Sequence, residues 1–103
     1  MPVTRNMSVS LFDENGQLHC DNGPAFISSR GSKFWYRHSI THRVGGPACE
    51  YFDGSEEWVV NGVRHRTDGA AVTRADGHKE WWLNGIEYEH LTWLLKVYEL
   101  GPK

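Results

Sequence analysis

Through most of this chain the apolar positions come in short groups separated by Gly, Asn and Asp, and only after Glu87 does their spacing change. Ala48-Cys49-Glu50-Tyr51-Phe52 and Glu56-Glu57-Trp58-Val59-Val60 are each the length of one strand, with Asp53-Gly54 between them and Asn61-Gly62 after them. Asn-Gly and Asp-Gly are the strongest short hairpin signals, because a type I′ turn needs positive φ at both central residues. The pattern therefore predicts hairpins. From Glu87 to Leu100 the apolar period becomes three and four, with Leu91, Leu94, Leu95 and Tyr98 on one stripe and Gly101-Pro102 as a stop. That spacing predicts a helix over 87–100. The longest apolar runs are triplets such as Trp93-Leu94-Leu95, far short of the roughly 20 residues of a membrane-spanning helix.

The hairpins repeat with a period of 23: His19, His42 and His65 keep that step, and so do Gly23, Gly46 and Gly69. Ala25, Ala48 and Ala71 share it, as do Gly31, Gly54 and Gly77, and Trp35, Trp58 and Trp81. The turn pairs Asn15-Gly16, His38-Ser39, Asn61-Gly62 and Asn84-Gly85 are in phase as well. A lone hairpin buries too little to be stable, so the units must stack side by side. The expected fold is mainly β: tandem hairpins forming a single-layer antiparallel sheet with a C-terminal capping helix. The chain divides into a half repeat at 8–16, repeats at 17–39, 40–62 and 63–85, and the helix, all in one domain. Phe12 takes the Trp column in the half repeat, while Tyr88 replaces the His and Thr92 the Gly at the far end. The helix would cover the Trp81/Leu83 face and blunt the open strand edge.

A two-residue turn at Asp53-Gly54 would set Cys49 opposite Trp58 and Tyr51 opposite Glu56. The same construction pairs Phe26 with Trp35 and Val72 with Trp81, so one face would read Phe26, Trp35, Cys49, Trp58, Val72, Trp81.

The 103 residues carry 11 Lys/Arg against 13 Asp/Glu, a formal charge of −2. Neither a strongly basic duplex-DNA binder nor a heavily acidic nucleic-acid mimic fits that balance. Met1 to Asn6 lack the charged and apolar regions of a signal peptide, which argues for the cytoplasm and makes Asn6-Met7-Ser8 a chance sequon. Cys20 and Cys49 fit neither the repeat nor a metal spacing, and are read as two reduced thiols.

The spacing Trp58-x-x-Asn61-Gly62-x-x-His65 inside a 23-residue hairpin unit resembles the membrane-occupation-and-recognition-nexus (MORN) repeat. The longer form, Trp-x-x-Asn-Gly-x-x-His-Arg-x-Asp-Gly-Pro-Ala, looks like a divergent version found in small proteins of phages, large DNA viruses and some bacteria. The resemblance covers about residues 8 to 87 and implies a single-layer array used for binding, with no catalytic residues to carry over. This chain departs from the MORN pattern where Arg43 and Arg66, instead of Gly, follow the His.

Equivalent histidines in such a meander lie two strands apart, about 9.5 Å, whereas zinc holds nitrogens about 2 Å from itself, so neighbouring units cannot share an ion. Each His is expected to bond backbone in the following Gly-Pro-Ala turn. The Trp column is read as core, and Phe34, Tyr36 and Trp82 on the opposite face as contact residues. Between Asp21 and Glu50 lie Arg30, Lys33, Arg37 and Arg43 with no acid, while Glu50, Asp53, Glu56 and Glu57 follow with no base. That bipolar surface could orient a partner, or it could be a solvated face. No nucleophile elbow, P-loop, zincin or dinucleotide fingerprint is present, and Glu56 and Glu57 point to opposite faces of a strand.

The expected function is a non-enzymatic protein-binding module without cofactor or metal, such as a phage or viral accessory protein that inhibits a host or defence protein. Its contact residues would be Phe34, Tyr36, Arg37, Arg43, Arg64, Arg66 and Trp82, and its flat faces and open edges also suit a homodimer. The first alternative is a nucleic-acid or anionic-lipid binder using Arg30, Lys33, Arg37, Arg43, Arg64 and Arg66, although the net charge argues against nucleic acid and the departures from the MORN pattern against a membrane. A cryptic hydrolase or metal protein is the second alternative and has the least support.

Overall fold

The structure, a computed structural model, describes residues 7–100 of the chain. The expected stop at Gly101-Pro102, the reading of Met1 to Asn6 and the Asn6 of the sequon lie outside the described residues. Among the described residues twelve short strands precede one helix: β1 (Val9–Ser10), β2 (Phe26–Ile27), β3 (Lys33–Phe34), β4 (Tyr36–Arg37), β5 (Ile40–Thr41) and β6 (Cys49–Glu50), then β7 (Glu56–Glu57), β8 (Val59–Val60), β9 (Val63–Arg64), β10 (Val72–Thr73), β11 (Lys79–Leu83), β12 (Ile86–Tyr88) and α1 (His90–Leu100). Eight strands form one antiparallel sheet in the order β1-β2-β3-β6-β7-β10-β11-β12, and β4-β5 and β8-β9 form two smaller hairpins. The expected mainly-β array with a C-terminal helix is the fold observed. No described helix is long and apolar enough to cross a membrane.

Each unit has a long arm and a short arm. The short arm turns tightly at Asn61-Gly62, with φ of 51° and 84°, and Asn84-Gly85 repeats those angles at 50° and 84°. The long arm closes differently from the expected two-residue turn. The Gly54 amide donates to the Tyr51 carbonyl at 2.9 Å and the Tyr51 amide to the Ser55 carbonyl at 2.9 Å, so Phe52, Asp53 and Gly54 make a three-residue loop. Gly54 completes it at φ 95°, the left-handed position that ends such a loop. One extra loop residue moves the register by one. Cys49 therefore lies opposite Glu57 rather than Trp58, and Tyr51 faces Ser55 rather than Glu56. Phe26 likewise meets Phe34 and Val72 meets Glu80. A one-residue slip turns every side chain over. The predicted face is thus replaced by a row of Phe26, Phe34, Cys49, Glu57, Val72 and Glu80, with the tryptophans, one position on, turned to the other side.

The slab measures 53 × 34 × 18 Å, too thin for a deep apolar core. Ala25, Ala48 and Ala71 are fully buried where strands cross between units, and their amides donate to the Phe34, Glu57 and Glu80 carbonyls at 2.9, 2.8 and 2.9 Å. Two polar columns tie the arms together. At the loop end, the buried Ser32 and Ser55 hydroxyls accept from the Phe52 and Ala75 amides of the next unit at 2.8 and 2.9 Å. At the turn end, His19, His42 and His65 accept through Nδ1 from the amides of His38, Asn61 and Asn84 at 3.1, 2.9 and 2.9 Å. The imidazoles therefore bond backbone as expected, but in the tight turn that closes the same repeat rather than in the following Gly-Pro-Ala segment. The adjacent short arm puts that turn's first amide within reach.

At the C-terminus the helix starts at His90, not Glu87, because Ile86–Tyr88 still pair with Leu83–Trp81. Its docking face is also different. Trp93 is the buried residue, 4% exposed, and its Nε1 donates to the Arg66 carbonyl at 3.1 Å, while Leu91, Leu94, Leu95 and Tyr98 face solvent. His90 lies parallel to the Trp81 ring at 3.7 Å between centroids, and Trp93 leans on it at 4.8 Å. Residues three apart share one helix face, so covering a flat indole selects the His90/Trp93 side over the leucine stripe. Trp93→Ala is expected to cost about 3 kcal/mol in urea or thermal unfolding. Leu94→Ala and Leu95→Ala should each stay within about 0.5 kcal/mol, and a larger loss there would return the stripe to the core.

Candidate protein-docking face

The row Phe26, Phe34, Cys49, Glu57, Val72 and Glu80 forms the floor of one broad face. At its N-terminal end Phe26 and Phe34 have ring centroids 5.7 Å apart, and Tyr51 stands edge-on to Phe34 at 5.6 Å. Phe34, Tyr36, Cys49, Tyr51, Glu57 and Arg64 line an open groove of about 340 Å³ there. Toward the C-terminus the face becomes ionic. Arg64 bridges Glu57 at 3.4 Å and Glu80 at 3.5 Å, and Arg74 reaches the same two carboxylates at 3.6 and 3.3 Å. Trp82 ends the row, its Nε1 donating to Glu80 at 3.0 Å and its ring 4.9 Å from the Arg64 guanidinium.

Burial alone would raise the Glu80 carboxyl, but the Trp82 bond and the Arg74 and Arg64 charges outweigh it and hold the group below the ordinary glutamate range. Burial pushes the Cys49 thiol up to about 11, with the Glu57 charge adding to the effect. Burial likewise drives the Tyr51 phenol upward, and its hydroxyl donates to Glu57 at 3.3 Å. Cys49 is thus a small core group and not a nucleophile.

The structure therefore brings Phe34, Tyr36, Arg64 and Trp82 onto one face, all half-buried rather than freely exposed. Arg37 is exposed and lies apart from them, in a cleft of about 480 Å³ beside Asp21, Trp35 and His42. Arg43 and Arg66, expected to be exposed contacts, are half-buried in the fold on the opposite side. Arg43 covers the Trp35 ring at 3.9 Å and donates to the Pro47 carbonyl at 3.0 Å. Arg66 covers Trp58 at 3.8 Å, donates to the Ala70 carbonyl at 3.0 Å and pairs with Asp68 at 2.8 Å. That bond is what holds the Asp68 carboxyl below its usual range. A Cβ on Gly46 or Gly69 would stand 2.7 Å from the Arg43 or Arg66 guanidinium carbon, which explains the glycine column as room for the arginine. In the last unit Glu89 and Thr92 occupy these columns, and His90 takes the arginine's place over Trp81. The Trp column is therefore lidded ring by ring instead of packing into one core.

Sequence reasoning missed Tyr51 and Arg74 on this face, because its register put them with the tryptophans, and it did not single out Glu57 and Glu80 as the partners of Arg64. Gly as the last of three loop residues, repeated at Gly31, Gly54 and Gly77, was the available signal. It also missed one cluster: Asp13, His19 and His38 place a ligating atom each within 4.8 Å of the others, although His38 belongs to no histidine column.

Searches against protein-family models, curated proteins and solved structures each return no match.

Two measurements check this arrangement. Arg66→Ala should cost about 0.5–2 kcal/mol, and Gly69→Ala a similar amount by displacing the guanidinium. In the Arg66→Ala background the Gly69→Ala cost should vanish, and additive losses would show that the glycine serves another purpose. Iodoacetamide at pH 8 should label the half-exposed Cys20 and leave Cys49 unmodified until the chain unfolds, as read by mass spectrometry.

Proposed function

We propose that the protein is a non-enzymatic protein-binding repeat module whose partner docks on the face carrying Phe34, Tyr36, Tyr51, Arg64 and Trp82. The observation that carries this reading is the composition of that face: aromatic rings and arginines, held by cross-strand pairs on a rigid sheet, around an open groove. Tyr, Trp and Arg are the residues in which binding energy concentrates at protein interfaces. The groove is shallow and no second layer encloses it, which suits a protein surface better than a small substrate.

The cations fit a protein partner better than a polyanion. Arg43, Arg64 and Arg66 are paired with Glu50, with Glu57 and Glu80, and with Asp68, which leaves their charge largely neutralised at home. Recognition then rests on ring area and directional donors more than on net field. The resemblance to repeat units of small phage and viral proteins extends the proposal to an accessory protein that binds and inhibits a host or defence protein.

The test is affinity capture with three forms of the full chain: wild type, Tyr36→Ala/Trp82→Ala, and the opposite-face variant Lys33→Glu/Lys79→Glu, each checked for an intact melting transition. A partner retained by the wild type in raised salt should be lost by the first variant and kept by the second. Retention by Tyr36→Ala/Trp82→Ala would move the docking face elsewhere, and an electrophoretic shift of nucleic acid that collapses with salt would replace the proposal altogether.

A further inference from the structure

We propose that Asp13, His19 and His38 form a binding site for a divalent transition metal ion of the zinc class, which clamps the N-terminal half repeat onto the array. The first argument comes from where the chain breaks its own pattern. Asp13 stands in the column otherwise filled by Tyr36, Val59 and Trp82, Asp21 in that of Val44 and Thr67, and His38 in that of Asn15, Asn61 and Asn84. These departures are all toward metal-ligating types, and they meet in space around His19. The second is backbone strain. His38 and Ser39 adopt φ of 49° and 66°, the turn that Asn61-Gly62 and Asn84-Gly85 make with residues far better suited to it. Strain of this kind concentrates at functional positions.

The geometry is largely assembled. Asp13 Oδ1 accepts from the Asn15 and Gln17 amides at 2.8 and 2.9 Å, which fixes the carboxylate and aims Oδ2 at His38 Nδ1, 2.6 Å away. The Asp13 side chain is 8% exposed, and His38 is its single side-chain partner. His19, 14% exposed, accepts the His38 amide at Nδ1, so its ring proton sits on Nε2 and is donated to Asp21 at 2.8 Å. The two imidazoles lie against each other at 4.1 Å. Ligand atoms around tetrahedral zinc stand about 3.3 Å apart, so closing the 4.8 Å set takes a tilt of the exposed His38 ring out of the stack. The ion displaces the proton shared between Asp13 and His38, which is released to solvent, and takes the His19 Nδ1 lone pair in place of the His38 amide, which turns to water. Water completes the coordination while Asp21 orients His19 through its Nε2–H, and two imidazoles with a carboxylate oxygen is a zinc-type set.

The location explains what the ion does. The arginines of the second and third repeats each lie over the tryptophan of the repeat before, whereas the first junction has Cys20 in the arginine column and Phe12, 59% exposed, in the tryptophan column. The half repeat therefore lacks the staple that its neighbours possess. A metal bridge from Asp13 to His19 and His38 ties the half repeat's turn to the two arms that follow.

Calorimetric titration of the full chain with Zn²⁺ tests this, with His38→Asn as the decisive variant, because asparagine is the repeat's own residue there and favours the turn. The wild type should bind one ion and melt at higher temperature in Zn²⁺. His38→Asn should melt no lower than wild type without metal, yet bind more than about tenfold weaker and gain no metal-dependent stability. Cys20→Ser should bind like wild type, and Co²⁺ should give a spectrum without thiolate charge transfer. Absence of stoichiometric binding, equal affinity in His38→Asn, or dependence on Cys20 would each overturn the site.

Discussion

Everything in this molecule depends on joining one hairpin unit to the next without a deep core. An 18 Å slab cannot surround its side chains, and the fully buried positions are mostly alanine, so apolar burial alone would leave the units loosely associated. Directional contacts supply the difference. Backbone ladders run from unit to unit, serine and histidine side chains satisfy amides that the ladders miss, and an arginine lies flat on each internal tryptophan. Each device recurs every 23 residues because each bridges the same two neighbours. Stability in such an array is close to a sum over junctions.

The devices also divide the two sides of the sheet by task. The tryptophan side is consumed in holding the units together, with Arg43, Arg66 and His90 as lids. The other side keeps rings and ion pairs that are braced yet open to solvent, from Phe34 and Tyr51 to Arg64 and Trp82. A braced surface of this kind would need little further ordering to take the proposed partner, which lowers the entropic cost of docking. The proposed metal clamp belongs to the same logic, since it stands where the arginine device is missing.

Much of the fold was legible because repetition amplifies weak local signals. Columns of Gly, His, Ala and Trp in phase point to stacked hairpins more firmly than any one strand could. The reading failed where one residue decided between alternatives. A two-residue turn and a three-residue loop share the Asp-Gly pair, and choosing the first set the tryptophan strand of each long arm on the wrong face relative to its partner. The helix stripe misled for a related reason. Leucines at three-and-four spacing mark an apolar face, but the surface awaiting cover was a single flat indole, and His90 with Trp93 fitted it better.

What the sequence determined by itself was the unit, its period, its tight Asn-Gly turns and its count, since these follow from residues close together along the chain. Only the tertiary structure decided which cations were free and which were lids, which histidine met which turn, and which carboxylates gathered around Arg64. Those outcomes rest on contacts between units, where a shift of one position exchanges the two faces of a sheet. Local propensity carries no information about that choice until the neighbouring unit is in place.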